Sequence, residues 1–561
     1  MKLLRLPDLR QPALGLASAA ALVVGVVTTA PSVHAAGATL AVVFYDATGS
    51  AMTGQAAYDL MRNKADNLTN QYAQKIVTAF VNPATLEDVN PGNTPLMPTV
   101  NADSLSFPLP AGTPAGLAVT WATSGSRGYS QVVLDNGGAG YVADTTVNFT
   151  YQAALDLKRR FDAAVTTRTT AIPAYIPSAA FTNAQNQLAA DYATMTGATT
   201  DAARGRAGWP VLADLHAAYD ILLTEYGPQL AKYKDEHNQG SPWFGTTFDA
   251  ATNADTSARL GDAANATQPT GVVNPGYGWV RIVFDVGTQP SDYDNAVISA
   301  HNQGLQVMGM PFDSTTARAC LPETQPTHCT PAEYQARFAG IVDHFSNRAD
   351  NPKLNIDAWE VGNEINGEWI DTDPVTHAYV YGSGQMAVKI ANAADYVHTH
   401  TAAPAVGTLY WQVATSNYPL NSTFTWARNN LTAGGVGAKL DAVLLSTYIE
   451  DAPMGTGLDQ AMNALVALFP TKQIGLGEFD YFYTNTSRYF WALTHLNTSS
   501  TQAQAQAARP TLATQYYSEA LGYQTSVGGM FWWYFQEESP GTAGSDLQAA
   551  VKAVANKVYF G

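Results

Sequence analysis

Trp359-Glu360-Val361-Gly362-Asn363-Glu364 and Gly475-Leu476-Gly477-Glu478 each end an apolar run on a carboxyl group, far apart in the chain. A single Glu in such a place often caps the helix that follows. A pair has more reach. If folding brings Glu364 and Glu478 across one cleft, one carboxyl can protonate a leaving oxygen while the other acts on the carbon it leaves. That is the minimum apparatus for breaking a glycosidic bond, and it needs no metal or cofactor. The proton donor must start neutral, in surroundings that raise its pKa, and its partner must stay ionised beside a cation or hydroxyl.

Position decides whether such residues meet. From about Gly240 the chain alternates β-like apolar runs with helical stretches, the signature of a parallel sheet built from βα units. The runs are Trp243–Phe248, Trp279–Val286, Leu305–Met310, Ile356–Asn363, Ala405–Trp411, Ala442–Tyr448, Gln473–Gly477 and Gly528–Trp533. Helical patterns cover Tyr293–Asn302, Pro331–Ala349, His377–His398, Leu458–Leu468, Leu512–Tyr523 and Asp546–Val558. Eight strands close a (β/α)₈ TIM barrel, whose sites lie at the C-terminal strand ends. Strands four and seven stand nearly opposite in such a ring, which sets Glu364 against Glu478. Ser446-Thr447-Tyr448 ends the sixth strand and Phe531-Trp532-Trp533-Tyr534 the eighth.

These strand-end motifs resemble those of the clan A retaining glycoside hydrolases, in which an Asn-Glu pair closes strand four and a second Glu closes strand seven. The resemblance spans residues 240–561. It implies that Glu364 is the acid/base, Glu478 the nucleophile, and Asn363 the residue that binds the sugar 2-hydroxyl. It further implies that Tyr448 supports the nucleophile, that Trp532 or Trp533 floors the reactive-sugar subsite, and that Arg281 keeps Glu478 ionised. The implied reaction is double displacement on a β-linked oligo- or polysaccharide, with the carboxyls roughly 5–5.5 Å apart. A transglycosylase shares all these residues. A silent carbohydrate-binding or surface protein on the same barrel is the other alternative.

Other residues carry competing readings. Glu360 shares side-chain parity with Glu364 but lies deeper along its strand, and reads as structural. Glu368 and Trp369 follow in the loop, with substrate contact and loop shaping both open. Asp285 and Asp313 end strands two and three, where a substrate contact competes with helix capping. Trp411, ending strand five, is a stacking candidate against core packing. His398-Thr399-His400 imitates a metal-binding pair but trails a helical run, so no metal is expected. Gly-x-Ser-x-Gly, Walker-type and His-Glu-x-x-His motifs are lacking.

The 561-residue chain is long enough for several folding units. Residues 1–35 read as a signal peptide: Lys2, Arg5 and Arg10 precede an apolar stretch from about Leu14 to Val27, and Val33-His34-Ala35 supplies small residues before a cut. A secreted, extracellular or periplasmic protein follows, with no membrane partner once the signal is gone. Cys320 and Cys329 then read as one disulfide closing a short loop. The net charge of −17 argues against nucleic acid and suits a neutral ligand, which the resemblance implies is a carbohydrate. Residues 36–151 read as a small β-sandwich-like domain of short runs at Leu40–Tyr45, Leu117–Thr123, Ser130–Leu134 and Thr145–Tyr151, with a helical look at 55–80. Residues 152–239 read as a helical connector punctuated by Pro173, Pro177 and Pro210. The catalytic barrel takes 240–561. Oligomeric state is not legible.

Overall fold

Among the described residues seven short strands precede residue 150, and their burial shows why they form two sheets rather than one. The computed structural model describes residues 37–561 except 62–77, 91–94, 123–126, 128, 273–275, 315–329, 368–369, 371–384, 412–418, 450–452 and 482–501. The signal-like leader, Cys320, Cys329, Glu368 and Trp369 lie outside the described residues. The strands are β1 (Thr39–Val43), β2 (Thr78–Val81), β3 (Thr99–Val100), β4 (Ser104–Pro108), β5 (Gly116–Ala122), β6 (Tyr129–Leu134) and β7 (Thr145–Asn148). One sheet runs β3-β4-β1-β7 and the other β2-β5-β6. In β1 only Leu40 and Val42 are buried, the alternation of a strand covered on one face.

The second sheet is covered on both faces. Phe80, Leu117, Val119, Val132 and Leu134 join the N-terminal core, whereas Ala79, Val81, Ala118 and Val133 join the core around the barrel. Successive side chains thus feed opposite cores, as the two-residue strand period dictates. Ala38–Gly561 accordingly form one compact unit.

Three helices follow, Phe149–Thr170, Ala179–Gly197 and Asp201–Glu236. Ser178 Oγ caps the second by accepting from Phe181 N at 3.1 Å, and Thr200 Oγ1 caps the third from Ala203 N at 3.2 Å. Pro173 and Pro177 fall between helices. Pro210 does not end one: it and Pro228 lie inside the third, 36-residue helix. That corrects the punctuation expected at Pro210, because burial of Val211, Leu212, Leu215 and Tyr219 on one side carries the helix through.

All eight runs expected after residue 240 become strands: β8 (Trp243–Phe248), β9 (Gly278–Val283), β10 (Gln306–Met310), β11 (Ala358–Gly362), β12 (Ala405–Leu409), β13 (Ala442–Ser446), β14 (Gln473–Glu478) and β15 (Ser526–Trp532). They close a barrel in chain order, every pair parallel. The fold is therefore a TIM barrel preceded, among the described residues, by two small sheets, a short helix Gly54–Met61 and the three longer helices. Trp243, Trp279, Met308, Ala358, Val406, Ala442, Leu444, Val527 and Phe531 fill its interior, and a continuous apolar layer joins the strands to the outer helices. Those include Asp294–Asn302, Pro331–His344, Gln385–His400, Leu458–Leu468, Gln502–Ala520 and Gly541–Phe560. Among the described residues no helix is long and apolar enough to cross a membrane.

Candidate active site

Strict alternation would turn Glu478 away from the barrel axis, because Leu476 packs in the outer layer and a Cβ on Gly477 would meet Thr408 Cγ2 at 2.5 Å inside. A register shift between β13 and β14 at Leu445/Ser446 changes that and brings Glu478 opposite Ser446. β11 has its own irregularity between Glu360 and Gly362. Val361 and the open side of Gly362 both face the outer layer, and Glu364 follows in a left-handed turn at φ 49°. A non-glycine residue is strained there, and such strain gathers at functional sites.

Glu478 is 4 % exposed and held from three directions. Arg281 Nη2, from β9, donates to Oε2 at 2.7 Å. Tyr448 Oη, just past β13, donates to Oε1. Asn363 Nδ2 lies 3.4 Å from Oε2. Burial pushes the Glu478 carboxyl up, while Arg281 and Tyr448 pull it down. Glu364 has less help. Burial, then the charges of Glu478 and Asp313, push it well above the usual carboxylate range, with Ser314 donating a hydrogen bond in partial compensation. Glu364 senses the charge of Glu478, and the cation is bonded to Glu478. That asymmetry separates an acid from an anion.

Arg281 is fully buried and fixed along three edges: Nε donates to Thr247 Oγ1 at 3.2 Å, Nη1 faces Glu360 Oε2 at 3.5 Å and Nη2 meets Glu478. Trp533 lies across it, the guanidinium carbon 4.8 Å from the ring centre. Trp532 points the other way, donating from Nε1 to Glu538 Oε2 at 2.9 Å within the outer layer. Of the two tryptophans, the structure brings only Trp533 to the site. The left-handed Gly528 and Gly529 and the register shift that follows orient this strand end, and a Cβ on Gly529 would lie 2.3 Å from the Leu476 carbonyl.

Asn363 is fully buried, and its Oδ1 has no hydrogen-bond partner among the described residues, which leaves an acceptor beside Glu478 for a ligand hydroxyl. Trp411 is 1 % exposed in the outer apolar layer, its indole N–H unpartnered among the described residues. Asp285 is no helix cap. Tyr293 Oη donates to it at 3.2 Å, and Gln289 caps the next turn instead. His398 pairs with Asp441 at 2.8 Å and His400 Nδ1 donates to the Tyr396 carbonyl at 2.9 Å, both away from the barrel mouth.

Two residues matter more than their sequence context suggested. Asp313 Oδ1 lies 3.5 Å from Asn363 Nδ2, and its charge acts on both Glu364 and Glu478. Glu360 touches Arg281, as described above. At the rim Asp249 and Glu537 share a hydrogen bond, and burial followed by the Glu537 charge pushes Asp249 up to about 8. Position at a strand end marks Asp313 in the sequence; Asp249, which directly follows β8, carries the same signal but was missed.

No protein-family model and no curated protein matches the chain. Similar solved structures include a GH113 beta-1,4-mannanase, at 12 % identity and TM-score 0.36 over 55 % of this chain and 97 % of that one. Another is Saccharomyces cerevisiae Gas2p in complex with laminaritetraose and laminaripentaose, at 12 % identity and TM-score 0.34 over 55 % of this chain. This chain spans 63 % of the length of that Gas2p chain.

Proposed function

We propose that this chain is a secreted glycoside hydrolase that cleaves a β-linked oligo- or polysaccharide with retention of anomeric configuration. The observation that carries the reading is the unequal environment of two carboxyls at one barrel mouth: Glu478 bound by Arg281 and Tyr448, Glu364 buried with no ion pair among the described residues. Glu364 protonates the glycosidic oxygen as Glu478 attacks the anomeric carbon, and the aglycone leaves. Glu364, now ionised, takes a proton from water as that water attacks the same carbon and releases Glu478. Asn363 Oδ1 accepts from the sugar 2-hydroxyl, and Trp533 floors the subsite. Export rests on the basic and apolar leader, and N-terminal sequencing of the mature protein checks it.

The test is a panel of β-linked glycans and activated aryl β-glycosides, with product stereochemistry read by proton NMR. Retention, together with loss of turnover in Glu478→Gln, is the expected result. First-formed product of inverted configuration, or a wild type that binds but never cleaves, sinks the reading. Product longer than substrate would mark a transglycosylase.

A further inference from the structure

Glu360 lies in the barrel interior four residues before Glu364, with its side chain fully buried. Thr408 Oγ1, from β12, donates to its Oε1, and Arg281 Nη1, from β9, faces its Oε2 at 3.5 Å. The charged and titratable groups acting on it are Arg281, Glu478 from β14, Asp313 past β10 and, from the helix Pro331–His344, Tyr334. A buried ionisable group of this kind adds little to stability compared with an apolar side chain of equal volume. What it does for Arg281 is specific. A guanidinium is a flat plate with donors on three edges. Thr247 takes the Nε edge and Glu478 the Nη2 edge, and Glu360 is the described acceptor at Nη1. Three barrel strands thus set the plane of the plate, and with it the direction of the hydrogen bond that reaches Glu478.

We propose that Glu360 is a positioning residue for the displacement: it fixes the Arg281 guanidinium in the plane that serves Glu478, and it shares the cation so that Glu478 stays nucleophilic. The proposal rests on the glycosidase reading above. With Glu360 neutral or absent, Nη1 is released, and the positive charge falls on Glu478 alone. A carboxylate holding the whole cation is a weaker nucleophile, so the loss appears in turnover rather than in substrate binding.

The experiment uses the full chain and an activated aryl β-glycoside that the wild type cleaves. Glu360→Gln keeps the volume and an acceptor for Thr408. It should lower kcat on the order of 10-fold with KM within about twofold. In an Arg281→Lys background, which already lacks the flat plate, the same change should cost less than about threefold, because both substitutions remove one device. A kcat for Glu360→Gln within about twofold of wild type, or full additivity with Arg281→Lys, overturns the proposal. Thermal melting tells whether Glu360→Gln folds. Should it not, Thr408→Val decides: a kcat drop of at least about threefold at unchanged melting supports the proposal, and no drop overturns it. A wild type inert on every glycoside overturns the glycosidase reading and this proposal together. An active wild type with an unaffected Glu360→Gln overturns this proposal alone.

Discussion

Arg281 holds one guanidinium between two carboxylates, Nη2 2.7 Å from Glu478 Oε2 and Nη1 3.5 Å from Glu360 Oε2, with its own side chain and that of Glu360 fully buried. The nearer contact goes to the residue at the barrel mouth. Buried charges of this kind are costly to separate, and the cation opposes the protonation of Glu478 that burial favours.

Tyr448 supplies the other support, donating to Glu478 Oε1. Tyr448→Phe removes that donor and leaves the ring in place. The expected loss in kcat is about 10²-fold with a small change in KM, the scale seen when one preorganised donor is removed. Because the Tyr448 hydrogen bond lowers the pKa of Glu478, its loss raises that pKa. The acid limb of kcat/KM therefore moves to higher pH. A limb that stays put, or moves down, contradicts the assigned role.

Asp313 offers a test with the opposite sign. Its charge helps to raise both Glu364 and Glu478. Asp313→Asn keeps the shape and removes the charge, so both limbs of the pH–rate profile move to lower pH, and activity fades earlier on the alkaline side as Glu364 gives up its proton. The profile of kcat/KM from pH 4 to 10 measures this. A shift confined to one limb would mean that Asp313 faces only one of the carboxyls.

Much of this was legible in the sequence, and the rest was hidden for physical reasons. Eight apolar runs named the eight barrel strands because parallel strands buried on both faces have no polar alternation to hide them. Glu364, Glu478 and Tyr448 stand out as strand ends, whereas Arg281 enters only through the resemblance to clan A glycoside hydrolases. The inward turn of Glu478 did not, since it depends on a register shift against β13 that leaves no mark in composition. The choice between Trp532 and Trp533 was likewise open, because two left-handed glycines upset the strand's parity. Glu360 was read correctly as interior, but its contact with Arg281 depends on the stagger of β9 against β11. In the N-terminal region β2 falls within a stretch that reads as helical, and β3 and β4 are too short and too polar to stand out.

Buried carboxyls also set how stability responds to pH. Burial pushes Asp88 up to about 7, and burial with the Glu537 charge takes Asp249 to about 8. The folded chain keeps these protons in a range where the unfolded chain, with ordinary carboxyls, has released them. Stability therefore falls as pH rises from about 4.5 through 7 to 8, at up to roughly 1.4 kcal/mol per pH unit for each proton so held. His216, which burial lowers to about 4, works the other way, but its gain is complete by about pH 6.5. Calorimetry should give a lower Tm at pH 8 than at pH 5.5. A rising Tm over that interval would contradict the burial assigned to these groups.

The seam between the N-terminal helices and the barrel yields the sharpest prediction on stability. Helix Asp201–Glu236 meets helix Gln502–Ala520 at Gly227, where a Cβ would stand 1.7 Å from the Ser518 carbonyl oxygen. The obstacle is backbone, so no rotamer change relieves it, and Gly227→Ala must push the helices apart. Nearby, Arg127 bridges Asp220 at 2.6 Å and also pairs with Glu519, and both carboxylates belong to the two helices in question. Separation strains that buried ion pair as well, so the cost should reach or exceed the roughly 1–3 kcal/mol of ordinary overpacking. Gly261 serves as the control. It lies inside helix Thr256–Thr267 with nothing within 4 Å of its Cβ position, so Gly261→Ala should raise stability by about 0.5–1 kcal/mol through helix propensity. Opposite shifts in Tm for the two glycine-to-alanine changes are the expected result. If Gly227→Ala melts at or above wild type, the two helices do not approach as closely as this seam requires.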